Sequence, residues 1–523
     1  MVQESIFIGG GGEDHSDPQT LLLRYGNRHG LIAGATGTGK TITMQIMAEA
    51  FSRAGVPVFM TDIKGDVSGM AVAGTPRDSF ARRAATIGLE NIDYAAMPVT
   101  FWDLFGQHGH PVRTTVAEMG PLLLSRVMEL TDAQEGAINI AFRLSDEQGW
   151  PILDIDDLRA ILQFLVENRA EISAQYGNVS TATIGAIQRR LLVLENQGAA
   201  SFFGEPALDI SDLMQTTDGQ GRVNILHAAD LMNTPRLYAT FMLWLLSELF
   251  EELPEVGDAD LPKLVFFFDE AHLLFNRAPR ALIEKVEQVA RLIRSKGVGV
   301  YFVTQNPDDV PDSILSQLGN RVQHALRAFT ARDQQALRRA AQTYRPNPRF
   351  ETEVAIREVG VGEAVTSFLE NKGVPGIVER TLIRPPSSTM GPCEDDARQR
   401  VIEGSPVAGK YDHSVDRDSA HEMLARRAEQ AAREAEGHDD TRSNDAEEDE
   451  ATERYSRARR YQPPGRMRSS RSTERSRSSS SRSRSSRNDT TVEAFTKSMA
   501  RSIGTRAGSA IVRGVLGTLF RGR

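Results

Sequence analysis

One eight-residue run narrows the choice of fold more than anything else in the chain. Gly34-Ala35-Thr36-Gly37-Thr38-Gly39-Lys40-Thr41 follows the short apolar run Leu31-Ile32-Ala33 and opens the helix-like stretch Ile42 to Phe51. Strand, glycine loop and helix form the context in which G-x-x-x-x-G-K-[ST] makes a phosphate cradle. The glycines let successive backbone N–H groups turn inward around a phosphate, and the helix start adds its dipole and its unpaired donors. Lys40 is then placed to reach the β- and γ-phosphates of a nucleotide, and the Thr41 hydroxyl to hold Mg2+. A plain glycine turn between strand and helix would not call for Lys-Thr at its end.

A second motif separates nucleotide binding from nucleotide hydrolysis. Leu264-Val265-Phe266-Phe267-Phe268 is an unbroken apolar run of strand length, as expected for a central parallel strand buried on both faces. It ends in Asp269-Glu270-Ala271-His272. Two adjacent carboxylates at such a strand end are costly unless a cation or a proton transfer uses them. Asp269 fits a ligand to Mg2+, and Glu270 fits the base that orients the attacking water. A third apolar run, Gly297 to Val303, leads into Thr304-Gln305-Asn306-Pro307. Ligands in open α/β sheets bind at the carboxyl ends of strands, so Gln305 either senses the γ-phosphate and positions water or caps the loop before Pro307. Val56 to Met60 is a further strand, ending in Thr61-Asp62-Ile63-Lys64-Gly65-Asp66. There Asp62 and Lys64 either reach the metal shell or a neighbour, or simply make a turn.

The 523 residues, 40% of them hydrophobic, suffice for a large core. The single cysteine, Cys393, excludes an internal disulfide framework and fits a reducing compartment. The N-terminus has no secretory pattern, and no stretch approaches the roughly 20 apolar residues of a spanning helix, so a cytoplasmic protein is expected. A net charge of −9 argues against a protein that coats nucleic acid over its whole surface, but basic residues confined to a channel would still bind it.

Composition divides the chain. Residues 1–66 hold a first strand around Ile6-Phe7-Ile8 and the phosphate loop, and residues 67–215 form a mainly helical insertion, with Ile155 to Asn168 and Thr183 to Gln197 at helical spacing. Residues 216–392 resume the core with a strand at Val223 to Leu226 and a helix at Leu237 to Glu252. Residues 393–490 are a charged and Arg/Ser-rich linker that cannot bury enough apolar surface to fold alone, apart from a possible exposed helix at His421 to Glu436. In residues 491–523, Val492, Phe495, Met499, Ile503, Ala507, Ile511, Val515 and Leu519 recur at helical spacing among arginines and glycines. A basic amphipathic helix of this kind docks on protein or on an anionic membrane surface, and its glycines favour protein.

Taken together, Gly34 to Thr41, Asp62 to Asp66, Phe268 to His272 and Val303 to Pro307 resemble the HerA and FtsK class of RecA-like ATPases. The likeness extends through Gly185 to Arg189, Phe202 to Pro206 and Pro385 to Pro392, and is similar to the bacterial HerA-like family typified by YjgR. The resemblance implies an α/β fold with a RecA-like, mainly parallel P-loop NTPase sheet, ATP with Mg2+, and a homo-oligomeric, hexameric ring. In such a ring a neighbour's arginine completes each site, and Arg294, Arg321 and Arg327 are the candidates. HerA proteins proper also carry an N-terminal β-barrel before the ATPase core, which the roughly 26 residues there are not expected to supply.

Two functions follow as expectations. The first is an ATP-hydrolysing, ring-forming DNA translocase or helicase; its DNA half rests on resemblance, because the sequence has no zinc finger, helix-turn-helix signature or RNA-binding aromatic motif. The second is a nucleotide-gated scaffold that binds protein or membrane partners without moving a polymer. A kinase-like transferase fits less well, since Glu270 is placed to activate water.

Overall fold

The computed structural model describes residues 4–257, 259–275 and 280–434. The Arg/Ser-rich part of the linker and the amphipathic helix expected at 491–523 lie outside them. The described strands are β1 (Ser5–Gly11), β2 (Asp17–Leu22), β3 (Gly30–Ala33), β4 (Val58–Asp62), β5 (Val99–Asp103), β6 (His110–Pro111), β7 (Thr216–Thr217), β8 (Gln220–Gly221), β9 (Val223–His227), β10 (Leu264–Phe268), β11 (Val298–Thr304), β12 (Asn320–Gln323), β13 (Glu363–Ser367) and β14 (Glu379–Ile383). All but the β7–β8 pair join one 12-stranded sheet in the order β2-β1-β14-β13-β12-β3-β11-β10-β4-β9-β5-β6. From β12 to β6 every neighbouring pair is parallel, and from β12 to β2 every pair is antiparallel.

The parallel block explains the apolar strands. Val265 and Phe267 of β10 join the core on the face covered by helix α1 (Lys40–Arg53), where Phe51 lies 6.4 Å from Phe267 and 5.9 Å from Tyr301 between ring centres. The alternate residues, Phe266 and Phe268, stack 5.0 Å from Phe59 and 5.6 Å from Phe302. A strand covered on both sides cannot alternate apolar with polar, which is why β10 reads as a continuous run.

The segment 67–215 carries seven helices: α2 (Asp78–Thr86), α3 (Val116–Val127), α4 (Asp132–Gln148), α5 (Ile155–Glu167), α6 (Arg169–Tyr176), α7 (Thr181–Glu195) and α8 (Ala199–Phe202). It also contributes β5 and β6 to the sheet edge, with Val99 to Asp103 in register with Val223 to His227. Downstream lie α9 (Pro235–Glu252), α10 (His272–Phe275) and α11 (Arg280–Leu292), followed by α12 (Asp312–Leu315), α13 (Ala331–Gln342), α14 (Thr352–Glu358) and α15 (Asp395–Glu403).

The described chain divides into two compact units. Residues 160–180 and those from 418 onward form the smaller one. It contains the rest of α5, α6 and a helix at residues 420–434, and Asn168 bonds back to the Phe164 carbonyl at 2.9 Å. The larger unit runs to Arg417, so the folded core extends past the boundary expected at residue 393. Arg398 of α15 sits 4.7 Å over the Phe101 ring, and the fully buried Tyr411 lies 5.5 Å from Trp102. The Tyr411 hydroxyl donates to Asp212 at 2.5 Å. Charged composition hid this segment because its anchors are a few isolated aromatic and aliphatic contacts.

A buried ion pair ties residues 384–388 to α1. Glu49, fully buried, accepts hydrogen bonds from the Ser387 and Ser388 amides at 2.9 Å each, from the Ser388 hydroxyl at 2.6 Å and from Arg384 at 3.4 Å. Removing one partner of a buried pair leaves the other charge uncompensated. Glu49→Ala is expected to lose about 3–5 kcal/mol of stability in urea unfolding, with Glu49→Ala/Arg384→Met recovering part of it. Equal losses in the single and double variants would count against the pairing.

Candidate nucleotide site

Because β3, β11, β10 and β4 run parallel, their carboxyl ends deliver the loops beginning at Gly34, Gln305, Asp269 and Ile63 to one edge of the sheet. Gly34 to Gly39 link β3 to α1, and Gly37 and Gly39 take φ values of 77° and 117°. These are left-handed conformations that a side chain would strain. Close approach adds a second constraint at Gly34, where a Cβ would come within 2.5 Å of His324 Cβ.

His324 is the loop's rear support. It is fully buried, its Nδ1 lies 2.9 Å from the Glu363 carbonyl, and its Nε2 lies 2.8 Å from the Thr43 hydroxyl. The carbonyl can only accept, so Nδ1 carries the proton and Nε2 accepts from Thr43. The loop is also held through its backbone: the Ala35 amide donates to the Ala325 carbonyl at 2.8 Å, and the Gly362 amide to the Thr38 carbonyl at 3.0 Å.

In this state Lys40 turns back on its own loop. Its Nζ donates to the Gly34 carbonyl at 2.7 Å and the Ala35 carbonyl at 3.1 Å. Burial, and then the charge of Lys64, lower its pKa, while Glu270 and Asp269 act in the opposite sense. The lysine therefore lies within electrostatic range of both carboxylates of the second motif. Thr41 stands in the first turn of α1.

Asp269 and Glu270 are 4% and 3% exposed. The Asp269 amide donates to the Thr61 hydroxyl at 3.0 Å, and Asp269 Oδ1 accepts the Glu270 amide at 2.9 Å. Burial first, and the Glu270 charge second, push the Asp269 carboxyl up to about 7. A cation would relieve that cost, and a hydroxyl with a carboxylate is a hard oxygen donor set suited to Mg2+. Glu270 adopts φ 47°, which throws it out of line at the end of β10. Such a conformation costs a non-glycine residue about 1–3 kcal/mol and persists only when its surroundings hold it.

Those surroundings are specific. Lys64 Nζ lies 2.6 Å from Glu270 Oε1, His272 Nδ1 lies 3.3 Å from Oε2, and Gln305 Nε2 donates to Oε2 at 3.3 Å. Burial alone would raise the Glu270 carboxyl, but the hydrogen bond and charge of Lys64, with Gln305 and His272, hold it below its ordinary value. The two alternatives at Gln305 therefore separate. Capping of the loop before Pro307 falls to Asn306 and Asp309, since Asp309 Oδ2 accepts from the Thr304 hydroxyl at 2.7 Å and the Asn306 amide at 3.1 Å. Asp62 makes the turn, accepting the Asp66 and Val67 amides at 3.0 and 3.3 Å, while Lys64 reaches the carboxylate. The Lys64 contact was not legible in sequence beyond its place at a strand end.

The three arginines lie apart. Arg327 is exposed and lines a cleft of about 350 Å³ with Thr36, Gln305 and Phe329. Arg321 spends its guanidinium on the Leu318 and Leu315 carbonyls, both at 2.9 Å. Arg294 precedes β11, at the opposite end of that strand from Gln305.

The fold and this edge define a P-loop nucleotide-binding protein on a mainly parallel α/β sheet. The profile of the helicase HerA-like C-terminal family matches residues 11–523, and the chain belongs to that family. No curated protein matches the chain. Among solved structures, the bacterial conjugative coupling protein TrwB lacking its first 70 residues is 15% identical, covering 71% of this chain and 90% of its own at a TM-score of 0.44. VirB4 of Thermoanaerobacter pseudethanolicus is 13% identical, covering 73% and 97% at 0.45. The plasmid coupling protein TrwB in complex with ADP and Mg2+ is 16% identical, covering 70% and 89% at 0.42. Among the described residues, no helix is long and apolar enough to cross a membrane.

The loop's support carries a pH signature. Burial lowers His324 to about 4, and burial likewise lowers His29, whose Nε2 bonds the Ala290 carbonyl at 2.7 Å, to about 4. Both are neutral when folded and protonate near 6.5 when unfolded, so their stabilisation is complete above that pH and falls as pH drops from 6.5 toward 4. The two together predict a loss of up to about 2.7 kcal/mol per pH unit in that window. Urea midpoints constant between pH 6.5 and 4.5 would exclude neutral burial of the pair.

Proposed function

We propose that the chain hydrolyses ATP with Mg2+ and drives a ring-forming motor of the HerA class, with DNA as its track. One observation carries the hydrolytic half: Glu270, 3% exposed, is aimed by Lys64 and Gln305 at the edge where the phosphate loop begins. An unreactive phosphate-binding protein has no need of a strained, buried carboxylate there. The track and the ring rest on family membership.

In this reading Lys40 leaves the Gly34 and Ala35 carbonyls for the β- and γ-phosphates, and the loop amides donate hydrogen bonds to the remaining phosphate oxygens. Thr41 and Asp269 would hold Mg2+, which would offset the negative charge of the bound phosphates. Glu270 orients water and takes its proton, while the Gln305 amide fixes the angle of attack. Arg294 is the strongest candidate to act on a neighbour. From Gly297 to Gln305 a strand spans roughly 26 Å, so Arg294 cannot serve its own site. Arg327 stands beside its own phosphate loop.

Lys40→Ala is expected to weaken nucleotide binding, and Glu270→Gln to retain ATP while losing about 10²–10⁴-fold in turnover. Arg294→Ala should retain binding and lose turnover, and adding excess Lys40→Ala protein, with Arg294 intact, should restore part of it. ATPase rates with and without DNA at low salt test the track, because backbone contacts weaken steeply as salt rises. Unchanged rates at every DNA concentration would remove the DNA assignment and leave the ATPase.

The Lys64 contact gives a pH test. Lys64→Met removes the charge that lowers the Glu270 carboxyl, so the acidic limb of the ATPase profile should move to higher pH, with Lys64→Arg close to wild type. A coincident limb in Lys64→Met and wild type would separate Lys64 from the base.

A further inference from the structure

A second cluster of ligand-type side chains stands on the same sheet edge, away from the nucleotide residues. His227 ends β9 in register with Asp62 of β4 on one side and Asp103 of β5 on the other. His108 is on the β5–β6 connection, and its ring centre lies 4.3 Å from that of His227. Asp230 opens the short helical turn after β9, with a carboxylate oxygen 4.0 Å from His227 Nε2. Ligand atoms of all three residues lie within 4.8 Å of one another, the one such group of three among the described residues.

The cluster is built rather than incidental. Asp103 accepts the Phe105, Gln107 and His108 amides at 3.0, 2.8 and 2.9 Å, which fixes the loop that presents His108. His227 comes from the sheet itself and is only 13% exposed. Its Nδ1 is buried without a hydrogen-bond partner, a cost that core packing does not explain. The third member, Asp230, is 55% exposed, so its carboxylate can swing inward without repacking the core. Arg398, which donates to the His108 carbonyl at 3.3 Å, is the nearby cation that works against a bound ion.

We propose that His108, His227 and Asp230 hold one divalent transition-metal ion, zinc by preference. Two imidazoles with one carboxylate form a donor set for zinc rather than for Mg2+ or Ca2+, and three protein ligands leave a fourth position for water. Zn–N bonds of about 2.0–2.1 Å require the present spacing to contract by roughly 1 Å, a movement within the reach of the exposed Asp230. The ion would staple the β5–β6 connection to the turn after β9, two strands from Asp269.

The test is titration of the chelator-treated full chain with Zn2+ by calorimetry, and with Co2+ by its visible absorption, in excess Mg2+. One equivalent with an imidazole-type Co2+ spectrum is expected. Affinity should fall at least ~10-fold in His108→Ala, in His227→Ala and in the surface variant Asp230→Asn, the size that loss of an outer-shell partner alone produces. Asp269→Asn should bind Zn2+ as wild type does. Less than one equivalent at millimolar metal, unchanged affinity in the folded Asp230→Asn and His108→Ala variants, or loss of binding in Asp269→Asn would each overturn the proposal.

Discussion

Two carboxylates buried at the end of an aromatic strand set the terms for the rest of the site. Asp269 and Glu270 could not remain there as bare charges, because the desolvation cost would exceed any local gain. The structure meets the two demands differently. Glu270 receives the Lys64 ammonium, Gln305 and His272, and is held ionised. The Asp269 amide donates to the Thr61 hydroxyl, its side chain accepts the Glu270 amide, and burial, with the Glu270 charge, pushes its carboxyl up to about 7. The environments of the two carboxylates thus push their proton affinities apart, as the proposed division into base and cation ligand requires.

The phosphate loop shows the complementary imbalance. Its lysine is buried and donates to two loop carbonyls. These are neutral acceptors standing where a dianion would give far more. In the proposed binding step the lysine would exchange these bonds for charge-assisted ones, while His324 and Gly362 hold the loop backbone from behind. The rigidity lies behind the loop, and the adaptable group is the side chain in front of it.

What was legible in the sequence follows from the range of the interactions. The loop, β10 and its two carboxylates are contiguous, and a doubly buried strand advertises itself as an apolar run. The strand Val99 to Asp103 is equally buried, but it is five residues long and stands among helices, so its partner in β9 was not legible. Lys64 and His324 were hidden for a related reason. Each acts on a residue more than 200 positions away, and neither has a local pattern that names its partner. Beyond residue 393 composition suggested solvent, whereas Tyr411 and Arg398 anchor part of the charged segment through single side chains.

The two ends of β11 bear on how sites in a ring would communicate. Gln305 follows its carboxyl end and touches Glu270, while Arg294 precedes its amino end in the turn closed by Gly297, whose φ is 79°. The strand between them is fully buried and paired on both sides, to β10 and to β3, the strands that carry the carboxylates and the phosphate loop. A strand so held cannot bend independently of its neighbours. In the proposed ring, a shift of Gln305 on phosphate release would therefore reach Arg294 as a movement of the sheet as a whole.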